Sequence, residues 1–268
     1  MHKLVKGVDM SHVDFVKREH IGLLTFNNPQ KLNVLDLNTL IDFNSILDVI
    51  RDDVEIYCLI VTGVGEKSFI AGGDITLQNT FSVMEAYNWA NLGQGCLSKL
   101  EKMPMPVIGA VNGYALGGGM EVALACDLII ASENAIFGQP EVTLGIIPGF
   151  GGTQRLPRKV GINKAKELIY TGNKIDVDEA LKIGLVNKVA KRETLMEDAI
   201  GFANNIIQNA PIAVRLAKLA INEGTQCDID RGLVIEKSLF SECFSTEDKT
   251  TAMTAFIKKN KNVRFTNR

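Results

Sequence analysis

Histidine is scarce in this chain and lies far from its glycine-rich segments. The three histidines, His2, His12 and His20, all fall within the first twenty residues. Sites built on Ser-His-Asp, Cys-His or His-metal groups are therefore nearly excluded from the rest of the chain. If the protein is an enzyme, carboxylates are expected to act as its acids and bases.

Cysteine pairs are also missing. The five cysteines are far apart and include no CxxC pair: Cys58, Cys96, Cys126, Cys227 and Cys243. This spacing indicates neither a zinc site nor a disulfide framework, and it is typical of reduced thiols in the cytosol. We therefore expect no metal site and a cytoplasmic protein.

Long apolar runs and a strong net charge are absent as well. The first fifteen residues contain two lysines without a following apolar run, so a signal peptide is not expected. No stretch approaches the roughly 18–20 apolar residues that a membrane span requires. A formal charge of −2 and a pI near 6.0 give no electrostatic reason to expect nucleic acid or an anionic membrane as partner. A small neutral or acidic substrate fits better.

Apolar β-rich segments alternate with helical patterns in the first two thirds of the chain. Strands are predicted over 21–26, 57–62, 107–111, 128–131 and 185–189. Leu40, Phe43, Leu47 and Ile50 mark one face of an amphipathic helix, and 87–100 belongs to another. Strands separated by helices predict a largely parallel sheet and an α/β fold.

From about Arg192 onward the strand pattern disappears. Helices are predicted over 193–209, 211–223, 228–244 and 247–260. We therefore divide the chain into an α/β core, 1–192, which holds the candidate site, and a helical region, 193–268. The helical region is so apolar that it must cover either its own core or another subunit; its large apolar residues include Leu233, Leu239, Phe240, Phe244, Met253 and Phe256.

The glycine clusters do not match the phosphate-binding motifs. Residues 63–68 lack the GxxxxGK[ST] order. Neither 117–119 nor 149–152 gives GxGxxG with an acidic residue at the required distance. A nucleotide hydrolase and a dinucleotide dehydrogenase are therefore disfavoured.

Two predicted strands instead end in glycine-rich turns, within 61–75 and 111–121. Glycines let the backbone approach a ligand and point free N–H groups at it. One N–H group from each turn would form an oxyanion hole. The second turn leads into a short, apolar helix, whose N-terminal dipole suits a developing enolate oxygen. The alternative role of these glycines is tight turns and close packing.

Two glutamates follow these turns. Glu121 stands among alanine, leucine, valine and methionine, so we expect it to be buried, and a buried carboxylate requires a reason. Its other possible role is to complement the helix dipole. Glu141 follows Pro140 and could be a solvated loop residue. Two acids behind paired glycine turns are together the candidate catalytic pair.

Several segments carry a family resemblance. FIAGGDI (69–75), AVNGYALGGGMEVALACDL (110–128) and FGQPEVTLGIIPGFGGTQRLPR (137–158) resemble the enoyl-CoA hydratase/isomerase (crotonase) family. The resemblance extends from NNPQKLNVL (27–35) to the tail, with all segments in the same order. It implies a spiral of ββα units and a C-terminal helical region that builds a homotrimer, usually a homohexamer that is a dimer of trimers.

The resemblance also implies a reaction. The substrate would be an acyl-CoA thioester whose oxygen is held by the N–H groups of Gly73 and Gly118. Glu121 would activate a water for attack at the β carbon, and Glu141 would exchange the proton at the α carbon, with the Gly149 N–H nearby. The reaction would be reversible hydration of 2-enoyl-CoA to 3-hydroxyacyl-CoA. No separate cofactor is expected, because coenzyme A is part of the substrate.

By the same resemblance, coenzyme A would lie along the 27–35 segment and the AGGDI turn. Lys259 matches a lysine that in relatives reaches the nucleotide of a neighbouring subunit, although it could also be a solvated lysine in a basic run. The expected substrate-binding residues, beside Gly149, are Lys31, Leu32, Ala71, Gly72, Asp74, Ile75 and Lys259.

Two positions depart from the family pattern. Gly73 stands where hydratases often have alanine, which leaves the N–H available. Phe150 replaces a small residue near the expected acyl pocket and favours short chains such as crotonyl-CoA. Because both glutamates are kept, hydration is favoured over double-bond isomerisation. The alternatives are an isomerase of the same fold and a non-catalytic trimer that binds acyl-CoA.

Overall fold

Two sheets form the centre of the molecule. The computed structural model describes residues 12–260 and 263–268, so His2 lies outside the described residues. The larger sheet has the order β1 (Val13–Arg18), β2 (Ile21–Phe26), β3 (Cys58–Gly63), β5 (Val107–Val111), β7 (Leu128–Ser132) and β10 (Lys188–Ala190). The smaller has the order β4 (Ser68–Ile70), β6 (Tyr114–Leu116), β8 (Ile136–Gly138) and β9 (Lys174–Asp176).

The strands of the larger sheet are parallel from β2 to β10, and only β1 pairs antiparallel with its neighbour. Every residue of β3 and β5 is buried. Continuous apolar strands of this kind are typical of a parallel sheet covered on both faces. The α/β class and the mainly parallel sheet are therefore confirmed.

The strand predictions differ from the structure in instructive places. The segments 21–26, 107–111 and 128–131 are strands over their full predicted length, and the segment 57–62 shifts by one residue. In the predicted segment 185–189 only the last two residues belong to β10, because Leu185 and Val186 turn back onto Ala180. β1 was not predicted, since it is an edge strand and half of its residues are charged and exposed.

In the part of the chain that the structure describes, seven α-helices cross between the strands or cover them. Their bounds are α1 (Leu37–Asp52), α2 (Ile75–Gln78), α3 (Val83–Glu101), α4 (Gly118–Ala125), α5 (Gly152–Val160), α6 (Ile162–Thr171) and α7 (Val177–Lys182). The Asp36 side chain caps α1 by accepting from Thr39 N, and Ser82 and Glu85 form a capping box at α3. This cap starts α3 four residues before the predicted segment 87–100.

Four helices follow at the C-terminal end, as predicted: α8 (Leu195–Ile207), α9 (Pro211–Gly224), α10 (Ile229–Glu242) and α11 (Glu247–Ile257). Ala199 and Ala203 of α8 pack against the larger sheet. α10, in contrast, has no buried residue, and Phe240 is 64% exposed. The apolar face of α10 therefore does not cover the core of its own chain.

Polar contacts fasten α9 to the core. Lys218 Nζ lies 2.7 Å from Asp127 Oδ2 and donates to the carbonyl of Met105 at 3.0 Å. Asp127 Oδ2 also accepts from the N–H of Val107 at 2.7 Å. The ion pair therefore links α9 to the start of β5 and β7.

Within residues 12–260 and 263–268, no helix has the length and apolar character needed to cross a bilayer. The same residues contain no group of three or more His, Cys, Asp or Glu side chains arranged to hold a metal ion.

Candidate active site

Glu121 lies in the first turn of α4, which begins directly after the glycine turn. Gly117 precedes the helix with φ of 51°, a backbone conformation that favours glycine. Glu121 is 2% exposed. Its Oε1 accepts from the N–H of Phe150 at 2.8 Å and of Gly152 at 2.7 Å. The prediction that Glu121 is buried is confirmed, and two backbone donors fix one of its oxygens.

Glu141 stands in a 3-10 helix, Pro140–Leu144, at the opposite side of the same turn. A Cβ on Gly117 would lie 3.2 Å from Glu141 Oε1, so the carboxylate packs directly on that glycine. Gln139 is fully buried beside it. With its amide nitrogen toward the carboxylate, Gln139 donates to Oε1 at 2.8 Å and to Oε2 at 3.1 Å. Glu141 is therefore not a freely solvated loop residue.

Burial changes the acidity of both glutamates. Desolvation raises the pKa of Glu121 to about 7, although the N–H groups of Gly152 and Phe150 oppose the rise. Desolvation likewise raises the pKa of Glu141 to about 7, and the negative charge of Glu121 adds to the rise. Near neutral pH one carboxyl can hold a proton while the other is ionised, as paired acid and base catalysis requires.

The two glycines proposed for the oxyanion hole lie side by side. A Cβ placed on Gly118 would be 3.7 Å from the Gly73 nitrogen. The Gly73 loop is held in place by Leu35, whose N–H donates to Gly72 and whose carbonyl accepts from Asp74 N. Within the described residues, neither the Gly73 nor the Gly118 N–H has a hydrogen-bond acceptor. Both are therefore available to a ligand oxygen.

Two asparagines that the sequence reasoning missed hold the glycine-rich loops. Asn33 is 1% exposed and donates through Nδ2 to the carbonyls of Val64 and Ser68. Asn112 Nδ2 donates to the carbonyls of Gly63 and Gly65. Asn33 adopts φ of 56°, which asparagine tolerates better than most residues. Asn112 directly precedes Gly113, a pair that is typical of turns, whereas Asn33 has no glycine beside it in the sequence.

The structure brings together most of the predicted coenzyme A residues. Ala71 N donates to the carbonyl of Leu32 at 3.1 Å, so the segments 31–32 and 71–75 are neighbours. Lys31 is exposed at the end of a 3-10 helix, Asp74 caps α2, and Ile75 is 48% exposed. Gly72 connects them with φ of 118°. Binding of coenzyme A along this pair of segments stays a prediction.

Lys259 and Gly149 stand apart from this group. Lys259 is exposed just after α11, and its proposed role stays a prediction. The carbonyl of Gly149 accepts from Gln94 Nε2 at 2.9 Å. The backbone donors found on Glu121 are those of Phe150 and Gly152, which the sequence reasoning did not identify. A pattern of side chains in the sequence does not show which backbone N–H groups act as donors.

Comparison with known proteins agrees with this geometry. Residues 17–268 match the family model described as Enoyl-CoA hydratase/isomerase. The chain belongs to this family. The family resemblance read from the motifs is thus confirmed.

Several relatives match over nearly their whole length. The short-chain-enoyl-CoA hydratase of Clostridium acetobutylicum is 51% identical over 97% of this chain and 100% of its own. The crotonyl-CoA hydratase of Syntrophomonas wolfei is 49% identical over 91% of this chain and 94% of its own. The crystal structure of enoyl-CoA hydratase from Bacillus anthracis is 39% identical with a TM-score of 0.93, covering 96% of this chain and 100% of that one. The predicted crotonase-like fold is confirmed.

Proposed function

We propose that this protein catalyses the reversible hydration of short-chain 2-enoyl-CoA, with crotonyl-CoA as its preferred substrate, to 3-hydroxyacyl-CoA. The relatives confirm enoyl-CoA hydration as the activity class, that of a hydro-lyase. The names of two relatives support a short acyl chain. The observation that carries the proposal is the pair of glutamates, Glu121 buried and Glu141 half-buried, beside the turn that supplies the Gly118 N–H.

The two free N–H groups would act on the thioester oxygen. As a nucleophile adds to the β carbon, negative charge develops on this oxygen, and the N–H groups of Gly73 and Gly118 stabilise it. Removing one such donor typically lowers kcat by about 10²–10³-fold. The positive end of the α4 dipole lies at the same place and acts in the same direction.

The glutamates would divide the proton transfers. Oε1 of Glu121 is occupied by two N–H groups, while Oε2 has no hydrogen-bond donor within the described residues. Oε2 is thus the atom that takes a proton from water while the water oxygen attacks the β carbon. Protonated Glu141 then delivers a proton to the α carbon. In the reverse direction the roles are exchanged.

We further propose a homotrimer, or a hexamer of two trimers, built through the C-terminal helices. The large apolar side chains of α10 and α11 support it: Leu233 is 50%, Phe240 64% and Phe256 83% exposed. Faces of this kind on a single chain are typical of subunit contacts. A cytoplasmic location is supported by the five cysteines, which are all free thiols.

The loss of enoyl-thioester absorbance with crotonyl-CoA tests the reaction. We expect hydration by the wild type and a fall in kcat of at least about 10²-fold in Glu121→Gln and in Glu141→Gln. Glu133→Gln, a change of an exposed glutamate, is the matched control and should keep full activity. Butyryl-CoA binding by calorimetry should be nearly equal in all four proteins.

Two outcomes would contradict the proposal. If the wild type binds butyryl-CoA but consumes no crotonyl-CoA, the protein is a binding protein or acts on another acyl chain. If it converts 3-enoyl-CoA to 2-enoyl-CoA faster than it hydrates the product, it is an isomerase.

A further inference from the structure

The Phe150 ring packs on a glycine of α3. A Cβ placed on Gly93 would overlap Phe150 Cδ1 and Cε1 and would lie 2.6 Å from Cγ. The ring can therefore occupy this position only because residue 93 has no side chain. Phe150 is 4% exposed, which holds the ring in one place.

The same ring borders the two glycines of the candidate oxyanion hole. A Cβ on Gly118 would lie 3.6 Å from Phe150 Cδ2. The Trp89 ring stands behind it, with centroids 5.6 Å apart, and a Cβ on Gly73 would lie 3.7 Å from Trp89 Cζ2. Both rings are thus within van der Waals reach of the place where a thioester would be held.

The backbone of Phe150 links this residue to one of the two glutamates. Its N–H donates to Glu121, the acid assigned to the β carbon, rather than to Glu141. The residue that carries the ring is therefore fixed next to the acid assigned to the β carbon.

A large cleft lies next to the segment that carries this ring. A cleft of about 1330 Å³ between α3, α5 and α9 is bordered by Ala90 and Gln94 of α3 and by Gly149 and Gly151, the two neighbours of Phe150 in sequence. Neither Glu121 nor Glu141 borders it. Phe150 does not border it either, so the buried ring fills space beside the two glycines and does not open onto this cleft.

We infer that Phe150, packed on Gly93 and backed by Trp89, is the residue that limits the acyl chain to about four carbons. A crotonyl tail ends against the ring, whereas a longer chain needs the space that the ring fills. This inference rests on the proposed function, because it takes an enoyl-CoA as the substrate.

The experiment compares crotonyl-CoA with 2-octenoyl-CoA. The measured quantity is kcat/KM for the eight-carbon substrate divided by kcat/KM for the four-carbon substrate. We expect Phe150→Ala to raise this ratio at least about tenfold, because each methylene that an apolar pocket accepts changes kcat/KM by about tenfold or more. Adding Gly93→Leu to Phe150→Ala refills the vacated space and should return the ratio toward the wild-type value. Phe150→Val removes less volume and should give a smaller rise, and it replaces Phe150→Ala if that variant does not fold.

Phe15→Ala is the matched control. Phe15 also packs on a glycine, with its Cε2 3.0 Å from a Cβ on Gly22, but it does so on the antiparallel edge of the larger sheet. This variant should lose stability without any change in the substrate ratio. An unchanged ratio in Phe150→Ala, or an equal rise in Phe15→Ala, would overturn the inference.

Binding separates this inference from the proposed function. The dissociation constants of butyryl-CoA and octanoyl-CoA, measured by calorimetry, need no turnover. If the wild type hydrates no enoyl-CoA, the proposed function fails, yet the binding ratio still decides whether the ring limits chain length. If Phe150→Ala hydrates crotonyl-CoA but binds octanoyl-CoA no better than the wild type does, the inference alone fails.

Discussion

The side-chain amide of Gln139 reaches both carboxylate oxygens of Glu141, at 2.8 and 3.1 Å. A donor of this kind stabilises the ionised form and holds the carboxylate in one orientation. We expect Gln139→Leu to lower kcat/KM by about 10–100-fold. It should also raise the pKa of Glu141, which shifts the corresponding limb of the pH profile to higher pH. Kinetics between pH 5 and 9 would measure both effects. Gln208→Leu, a change at the exposed end of α8, is the control and should alter neither kcat/KM nor the pH profile. If Gln139→Leu leaves the pH profile unshifted, the Gln139 amide has only a structural role.

The wild type should have a bell-shaped pH profile with its maximum near neutrality. Burial raises the pKa of both glutamates to about 7, and hydration requires one carboxyl to be protonated and the other ionised. Below this range both are protonated and above it both are ionised, so kcat/KM falls on each side. A rate that stays constant from pH 5 to pH 9 would contradict the pairing.

The stability of the protein should also depend on Glu121. Burial raises its pKa to about 7 in the folded state from the ordinary value of 4.5, so the folded state binds this proton more tightly. The free energy of unfolding therefore decreases as the pH rises from about 4.5 to about 7, by an amount on the order of 3 kcal/mol. Glu121→Gln removes this penalty, so thermal unfolding should occur at a higher temperature than in the wild type at pH 8 and at a similar temperature at pH 4.5. Glu133→Gln should show no such difference at either pH.

Two glycines at the site should respond differently to alanine. A Cβ on Gly73 would lie 2.5 Å from Gln78 Nε2, the end of a flexible side chain that can move aside. A Cβ on Gly119 would overlap the carbonyl oxygen of Ile70 and lie 2.7 Å from its carbon, which is backbone. We expect Gly73→Ala to keep kcat/KM within about threefold and Gly119→Ala to lose several kcal/mol of stability. Thermal unfolding of both variants, with crotonyl-CoA kinetics for the first, is the measurement; equal stability would contradict the difference.

The Lys218–Asp127 pair should contribute more to the free energy of unfolding than a surface ion pair does. The side chains are 9% and 23% exposed, and removal of the lysine leaves the Asp127 carboxylate partly buried without its counter-charge. We expect Lys218→Met to lower the free energy of unfolding by about 2 kcal/mol, less than for a fully buried pair. Urea denaturation measures the loss. Lys191→Met, a change of an exposed lysine between β10 and α8, should stay within about 0.5 kcal/mol of the wild type.

Local sequence patterns identified the parts of the site that depend on residues close together in the chain. The apolar run after the glycine turn predicts both α4 and the burial of Glu121. The strands that were missed are short or polar: β4, β6, β8 and β9 have three residues each, too few for a periodicity to be seen. β1 forms an edge, where burial does not impose an apolar pattern.

Contacts between distant segments could not be predicted from the residues alone. Gly73 and Gly118 meet because β4 and β6 are paired, with Ser68 opposite Tyr114. The pairing of Glu121 with the N–H groups of Phe150 and Gly152 depends on where the turn before α5 comes to lie. The family resemblance supplied the first contact, and only the structure supplied the second.

Phe150 serves the site with two different parts. Its amide nitrogen holds Glu121, and its ring lies beside Gly118. Any residue except proline has this amide hydrogen. The side chain at position 150 can therefore change, in evolution or by design, without loss of the hydrogen bond to Glu121, so that new substrates can be gained by a single substitution while the chemical step stays intact.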